Sequence, residues 1–520
     1  MSFHRILAIG KRFCRHMAAS SSLVAAVQIL FACAALAQAP SDLWTSELQK
    51  IKDPSTLNLR LIAHLGYFEV FFDSEVNNAN WFTDSGFPDF LQTGMTTGGT
   101  IRIHGYLATP LFGGPYPAVV IGHGHRGQGS PELAMAVAAM GYVALSIDGP
   151  GQGQSTGPPD SEQAWISVEP SPNYSYLYHY AYAGMRGLTV LERLSTLFLN
   201  PFRIDRNNLG VIGASMGGQF TYYINGIDDR VKSAVAIAAA GDWLPILFYP
   251  GAWLYHGLYY YTRDGLRSGI DTANAVSNVC TDSTLVTFLQ YFDPAMYAPT
   301  QHGPLLTIIG THDQYFTLPA INTTYNRVAS AGTNPKFISR IQFAANGEHG
   351  VINQSDLLPS FASVLQNINR WFRYSFRNTV PPPATPVVNL QVVGTTMSFQ
   401  AAVSGGSGLT VRLFAASQIN TLPTQPNDFG YITLSPITAD VYTGSIPIGA
   451  VPPSGPPLTP DNILYFVQVT DTTGFTVSSK MYYKGSEMAP CSDFVPVLEH
   501  FPRDNFPVPA TPGGNCGCPQ

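Results

Sequence analysis

The 520-residue chain carries 27 basic and 33 acidic side chains, a net charge of −6, and only 12% charged residues against about 25% in ordinary globular proteins. That length exceeds what one hydrophobic core supports, so two or three domains are expected. No basic cluster lies beyond the first sixteen residues, which excludes nucleic acid as a partner, and 12% aromatic residues with 41 prolines suit a rigid, weakly charged exported protein.

The N-terminus reads as an export signal over residues 1–37. Arg5, Lys11, Arg12 and Arg15 precede an apolar run at 23–36, and small residues follow at Ala35, Ala37 and Ala39. The run is shorter than the roughly 20 apolar residues a membrane-spanning helix needs, so no integral membrane segment is expected once the signal is removed. Leu30-Phe31-Ala32-Cys33 loosely matches a lipoprotein signal, but the bulky Phe31 argues against that variant. Secreted or periplasmic residence follows. Cys14 and Cys33 fall in the signal, and Cys280, Cys491, Cys516 and Cys518 remain, enough for two disulfides in any of three pairings. Cys516-Gly517-Cys518 has no second cysteine pair or histidine nearby, so stapling of the tail is favoured over metal binding.

From residue 58 to 344, strand-like and helix-like stretches alternate, the pattern of a mostly parallel sheet with helices on both faces. Residues 118–121 form a short apolar strand, followed by Gly122-His123-Gly124-His125-Arg126-Gly127-Gln128-Gly129. A helix at 131–140 and a strand at 142–147 come next, then a longer helix from about 178 with Ala181, Met185, Leu188 and Leu191 on one face. Tyr174, Tyr176, Tyr178, Tyr180 and Tyr182 alternate into this helix, where packing is favoured over a binding stripe. The strand at 209–212 runs into Gly213-Ala214-Ser215-Met216-Gly217-Gly218, a serine between glycines at a sharp strand-to-helix turn. An acyl-transfer serine needs such an exposed turn, because its weakly nucleophilic hydroxyl must reach a base and backbone N–H groups must meet the developing oxyanion.

Three further segments complete that chemistry in the order serine, acid, histidine. After a strand at 231–239 and an insertion at about 241–300, the strand at 305–309 leads to Asp313, the expected acid, whose competing role is to cap the following helix. Asp282 and Asp293 are rivals that follow no core strand. After the strand at 337–343, Asn346-Gly347-Glu348-His349-Gly350 supplies His349 as the base, ahead of a helix at 357–376. The expected oxyanion donors are the N–H groups of Met216 and His125. A metal site at His123-x-His125, with His349 and Asp313 as further ligands, is the rival reading, but it leaves the glycine-flanked serine without a purpose. Serine chemistry of this kind needs no cofactor.

The insertion holds Trp243, Phe248, Tyr249, Trp253, Tyr255 and Tyr259-Tyr260-Tyr261. Trp243 and Trp253, with Tyr315 beside the acid, are candidate substrate-binding rings able to stack on sugars or pack acyl chains; the competing reading is that the rings form a small core of their own. Pro381-Pro382-Pro383 is a stiff linker. Beyond it, strands at 387–393, 397–403, 410–415, 463–469 and 475–483 predict about seven short strands in an immunoglobulin-like β-sandwich over 386–486. A Pro/Gly/Cys tail occupies 487–520, and the first domain spans 40–378.

These motifs carry a resemblance. Ser215, Asp313 and His349, with Asp148-Gly149-Pro150-Gly151-Gln152-Gly153-Gln154-Ser155, resemble the α/β-hydrolase superfamily over roughly residues 60–375. His123-Gly124-His125, Asp228-Asp229-Arg230-Val231 and Tyr291-Phe292-Asp293-Pro294 through Tyr325-Asn326 resemble the acetyl xylan esterase branch, related to dienelactone hydrolases, although that branch usually carries an aromatic residue at the place of His125. Asp313-Gln314-Tyr315-Phe316 and the added β-domain are similar to secreted PhoPQ-activated pathogenicity-related proteins. The resemblance implies that the insertion at about 241–300 forms a lid over the serine, and that the chain is a serine carboxylesterase acting on short acyl esters such as acetylated carbohydrate. A serine peptidase or amidase on the same residues and a non-catalytic surface-binding protein are the alternatives.

Overall fold

The computed structural model describes residues 40–76, 100–168, 171–243, 283–330, 338–353, 356–418 and 426–488. The expected export signal, Cys33 and the other five cysteines, Trp253 with most of the insertion's aromatic residues, and the tail from residue 489 lie outside them.

Among the described residues, nine strands build one sheet: β1 (Arg60–Ala63), β2 (Phe68–Val76), β3 (Thr100–Ala108), β4 (Tyr116–Gly122), β5 (Val143–Ile147), β6 (Ile204–Ala214), β7 (Val231–Ile237), β8 (Leu305–Gly310) and β9 (Ser339–Ala344). Their order is β1-β2-β3-β5-β4-β6-β7-β8-β9. The strands β1, β2 and β3 pair antiparallel, β3 with β5 as well, whereas β5, β4, β6, β7, β8 and β9 are mutually parallel. This is the α/β-hydrolase fold. Parallel strands need covering on both faces, and β4 shows how the sequence meets that need: Ala118 and Val120 enter one core, Val119 and Ile121 the other.

Helices α1 (Pro131–Ala139), α2 (Tyr176–Ser195), α3 (Met216–Ile227), α4 (Leu318–Ser330) and α5 (Leu357–Arg377) cover the sheet. Leu188, Phe220 and Ile321 of α2, α3 and α4 fill one core; Ala134, Val137, Trp371 and Phe372 of α1 and α5 fill the other. Ser130 caps α1 by accepting the Leu133 N–H, with Pro131 at the first helical position. Tyr176, Tyr178, Tyr180 and Tyr182 are all buried in the α2 core, as the packing reading expected. From the middle of α2, fully buried Arg186 donates to the carbonyls of Lys50, Ile51, Asp53 and Asp73 and to Thr56 Oγ1, binding the N-terminal segment to the domain.

The insertion expected at 241–300 is not wholly a cover. Its described parts belong to the core: Phe288, Phe292 and Tyr297 are buried, and Tyr223 Oη donates to the Phe292 carbonyl.

After residue 383 the chain becomes all-β, in ten described strands rather than about seven. β10 (Val387–Val393), β11 (Thr396–Ala402), β15 (Val441–Pro447) and β14 (Ser435–Pro436) form one antiparallel sheet. β13 (Gly430–Thr433), β12 (Thr410–Ser417), β16 (Ile463–Thr470), β18 (Tyr482–Tyr483) and β19 (Ser486–Glu487) form the other, with β17 (Thr476–Ser478) also on β16. Met397, Phe399, Leu413, Tyr465 and Val467 fill the space between the sheets, making a β-sandwich. The sandwich lies on the β9 edge of the large sheet. Phe343 N–H donates to Ser478 Oγ, Gln468 Nε2 donates to the Phe343 carbonyl, and Asn367 exchanges hydrogen bonds with the backbone of Thr476. An edge strand left with open backbone groups is thereby covered.

Candidate active site

Ser215 ends β6 and opens α3 with φ 59° and ψ −120°, a conformation that sterics nearly forbid to a residue with a side chain. The sequence makes room for it. A carbon added at Gly213 would sit 2.2 Å from the Gly217 carbonyl oxygen, and one at Gly217 would sit 2.3 Å from that of Gly122, so both positions exclude side chains because backbone passes directly against them. The Ser215 N–H donates to the Ile237 carbonyl of β7, which ties the strained residue to the neighbouring strand.

His349, on the loop after β9, receives the Ser215 hydroxyl at Nε2 over 2.8 Å and donates Nδ1–H to Asp313 Oδ2 over 2.8 Å. Asp313 follows β8 and is almost fully buried. Its second oxygen accepts the N–H groups of Tyr315 and Phe316, so both oxygens of a buried carboxylate are satisfied. Three residues separated by up to 134 positions therefore form one hydrogen-bonded line. Asp313 does not cap the following helix: that helix starts at Leu318 and Thr317 Oγ1 accepts the Ala320 N–H, while the two N–H bonds to Asp313 fix the loop before it. The rival Asp293 is spent elsewhere, accepting the N–H groups of Asp242, Trp243 and Ala295; Asp282 lies outside the described residues.

Met216 opens α3, so its N–H is among the donors that a helix start leaves without an intrahelical acceptor. The loop after β4 lies beside the serine: a carbon added at Gly124 would be 3.9 Å from Ser215 Oγ. His123 Nδ1–H donates to the Gly124 carbonyl, and Nε2 accepts the Gly149 N–H, while burial holds the imidazole below its ordinary pKa and hence neutral. His125 points elsewhere, with Nδ1–H donating to Asp160 Oδ1 over 2.8 Å and its ring edge-on to Trp165. The two imidazoles of the His-x-His motif are thus committed to different partners, and among the described residues no group of three histidine, cysteine or carboxylate side chains is arranged to hold a metal ion.

Asp160 was not singled out by sequence reasoning. It is buried and accepts from His125 Nδ1–H, the Arg126 N–H and Trp165 Nε1–H, so one carboxylate fixes the loop beside the serine. Asp148 does related work one layer deeper, accepting the N–H groups of Gly129 and Gln154 and the Nδ1–H of buried His104. The Asp148–Ser155 motif is therefore a brace joining β3, β5 and the loop that leads to α1.

Of the candidate substrate-binding rings, Tyr315 lies over the His349 imidazole, with ring centroids 4.0 Å apart, and is only partly buried. Trp243 is a correction. Its indole is fully buried, donates Nε1–H to the Ala240 carbonyl and stacks on Phe288, so it is a core residue and presents no surface to a substrate.

No protein-family model and no curated protein matches the chain. Among solved structures it is similar to an acetyl xylan esterase from Paenibacillus sp. R4, at 17% identity over 64% of this chain and 94% of that one with a TM-score of 0.46. Acetyl xylan esterase 1 from Thermoanaerobacterium sp. JW/SL YS485 matches at 14% identity over 63% and 92% of the two chains, with a TM-score of 0.42. An acylaminoacyl peptidase of Pyrococcus horikoshii matches at 14% identity over 65% and 45%, also with a TM-score of 0.42.

Proposed function

We propose that this chain is an exported serine hydrolase that cleaves carboxylic esters through an acyl-enzyme. The observation that carries the reading is the imidazole of His349 bridging the Ser215 hydroxyl and the buried Asp313 carboxylate at 2.8 Å on each side.

In the first half-reaction Ser215 Oγ attacks the ester carbonyl as its proton passes to His349 Nε2. The carbonyl oxygen becomes an oxyanion, received by the N–H groups of Met216 and His125. Collapse of the tetrahedral species breaks the bond to the alcohol, which leaves with the proton from His349, and Ser215 remains acylated. Water repeats the sequence in reverse roles: it loses a proton to His349, attacks the acyl carbonyl, and Ser215 regains the proton as the acid departs. Asp313 stays ionised, keeps Nδ1 protonated and stabilises the imidazolium that forms twice per turnover. Tyr315, lying on that ring, screens it from water and borders the space where the acyl group sits.

Export rests on the basic and apolar pattern of residues 1–37, and N-terminal sequencing of the protein released by the producing cell checks it. The substrate class rests on the motif resemblance, which makes acetylated carbohydrate the first natural substrate to assay. A panel of p-nitrophenyl acetate, butyrate and octanoate beside matched anilides tests the reaction. Hydrolysis of the short esters at rates well above the anilides is expected; anilide hydrolysis that equals or exceeds ester hydrolysis would replace this reading with a serine amidase.

A further inference from the structure

The second domain reaches the catalytic loops. Asn346, three residues before His349, donates Nδ2–H to the Phe429 carbonyl over 3.1 Å and accepts the Phe429 N–H at Oδ1 over 2.7 Å. This two-way bond to the backbone is the pairing a β-ladder uses, made here by one side chain across two domains. Asn346 has φ 57°, a left-handed conformation that asparagine tolerates better than most residues, and its own N–H donates to Thr311 Oγ1, two residues before Asp313. Thr311 Oγ1 lies 3.0 Å from His312 Nδ1, and the His312 ring meets Phe429 edge-on with its Nε2 3.7 Å from the Asp428 carboxylate. The His312 N–H donates to the Gly347 carbonyl, so the loops bearing the acid and the base are bonded to each other, the base loop is bonded through Asn346 to the sandwich, and the acid loop touches the same segment through the His312 ring.

That segment is firmly held. Phe429 is buried and packs edge-on against Phe466 of β16, which also contacts Phe343 of β9 and stacks on Phe414 of β12. A continuous aromatic cluster thus runs from the strand that delivers His349 into the sandwich.

We infer that the β-sandwich is a working part of the catalytic unit, and that Asn346, clasped on the Phe429 backbone, is a positioning residue that sets His349 against Asp313 and Ser215. The inference rests on the ester-hydrolase reading. Serine, imidazole and carboxylate must align closely for proton transfer, and a misplacement of about 1 Å can cost a hundredfold in rate. The His349 loop leaves β9 at the edge of its sheet, where no further strand of that sheet pairs with it among the described residues, so the sandwich supplies the wall on that side.

Asn346→Gly keeps the left-handed backbone available and deletes the clasp. Asn346→Asp keeps the acceptor for the Phe429 N–H and turns a carboxylate oxygen toward the Phe429 carbonyl in place of the donor, so one of the two bonds remains and the other becomes a repulsion. With p-nitrophenyl acetate the expected order of kcat is wild type, then Asn346→Asp, then Asn346→Gly, the last reduced about ten- to a hundredfold with KM within about twofold. The proton NMR signal of His349 Nδ1–H, shared with Asp313, is expected to weaken in the same order, and this readout needs no substrate. Ser478→Ala removes a bond of the same junction on β9 and is expected to lower the melting temperature while leaving kcat within about twofold of wild type. Equal kcat and an unchanged His349–Asp313 proton signal across the Asn346 series would overturn the inference, as would a loss in Ser478→Ala equal to that in Asn346→Gly. If Asn346→Gly does not fold, Asn346→Asp decides alone by the same two readouts. Wild-type protein inactive on every ester would instead remove the underlying reading, with the proton signal still testing the clasp.

Discussion

At the scale of single residues, the candidate site is organised by the buried carboxylates behind it. Asp313 orients the imidazole, and Asp160 holds the loop whose His125 N–H we assign to the oxyanion. Replacing Asp160 by asparagine retains one acceptor oxygen but turns an amide NH2 toward groups that are themselves donors. We expect Asp160→Asn to lower kcat on p-nitrophenyl acetate about ten- to a hundredfold with little change in KM, because the oxyanion is present only after attack. A rise in KM at constant kcat would assign Asp160 to substrate binding instead.

Asp242 gives a prediction of opposite sign. Burial first, and then the charge of Asp293, push its carboxyl up to about 6. The folded state therefore holds a proton there that the unfolded chain has released, so the associated stability is complete below pH 3.8 and is lost as pH rises through about 6. At pH 8 the ionised group costs roughly 2–3 kcal/mol, a figure that already contains the attraction of Arg327, whose Nη2 lies 3.5 Å from Oδ1. Asp242→Asn is expected to melt above the wild type at pH 8, to keep roughly half of that advantage at pH 5 and to lose most of it by pH 4, as thermal scans at pH 8 and pH 4 would show. An equal difference at both would mean that the carboxyl does not titrate in this range.

At the scale of elements, the decisive unit is the β6–turn–α3 passage. Gly217 lies where α3 crosses the end of β4, and a methyl group there meets the Gly122 carbonyl oxygen at 2.3 Å and the His123 carbonyl oxygen at 2.9 Å. Neither backbone segment can retreat, since β4 is paired on both sides. Gly217→Ala is expected to destabilise the fold by about 3 kcal/mol or more, read from the denaturation midpoint; a shift under 1 kcal/mol would mean that the helix can slide.

This passage, with β4, β5, β7 and β8, was legible in the sequence because strands buried on both faces carry short, largely apolar runs, and β9 because Ile341 and Phe343 alternate with polar residues. β2 was not: Phe68–Val76 carries Glu69, Asp73 and Glu75 among its apolar residues and pairs antiparallel with β3, so it has no such run. The short strands β13 and β14 were missed for the same reason, being only partly buried or exposed along their length. Trp243 shows a different limit. Aromatic density marks a large buried area but does not say whether a ring faces a pocket or a core.

At the scale of the whole molecule, the chemistry was more legible than its support. Ser215, Asp313 and His349 each follow a core strand in the order the fold requires, so local pattern sufficed. Asp160 and the Asn346–Phe429 clasp have no such signature, because they arise from loops brought together by folding, 35 and 83 positions apart. The triple proline at 381–383 reads as a linker between independent domains. Yet Arg340 Nε donates to the Pro383 carbonyl, and Phe414, Phe429, Leu464, Phe466 and Met481 of the sandwich join the same core as α2 and α3. A shared core predicts one cooperative calorimetric transition for the whole chain, whereas two separated transitions would show that the domains hold themselves together unaided.

A nucleophilic Ser215 is open to covalent capture. Incubation with a fluorophosphonate followed by peptide mass spectrometry is expected to place one adduct on Ser215, absent from Ser215→Ala and formed much more slowly in His349→Ala. A folded wild-type protein that takes no adduct, or an adduct that persists at another residue in Ser215→Ala, would contradict that role for Ser215.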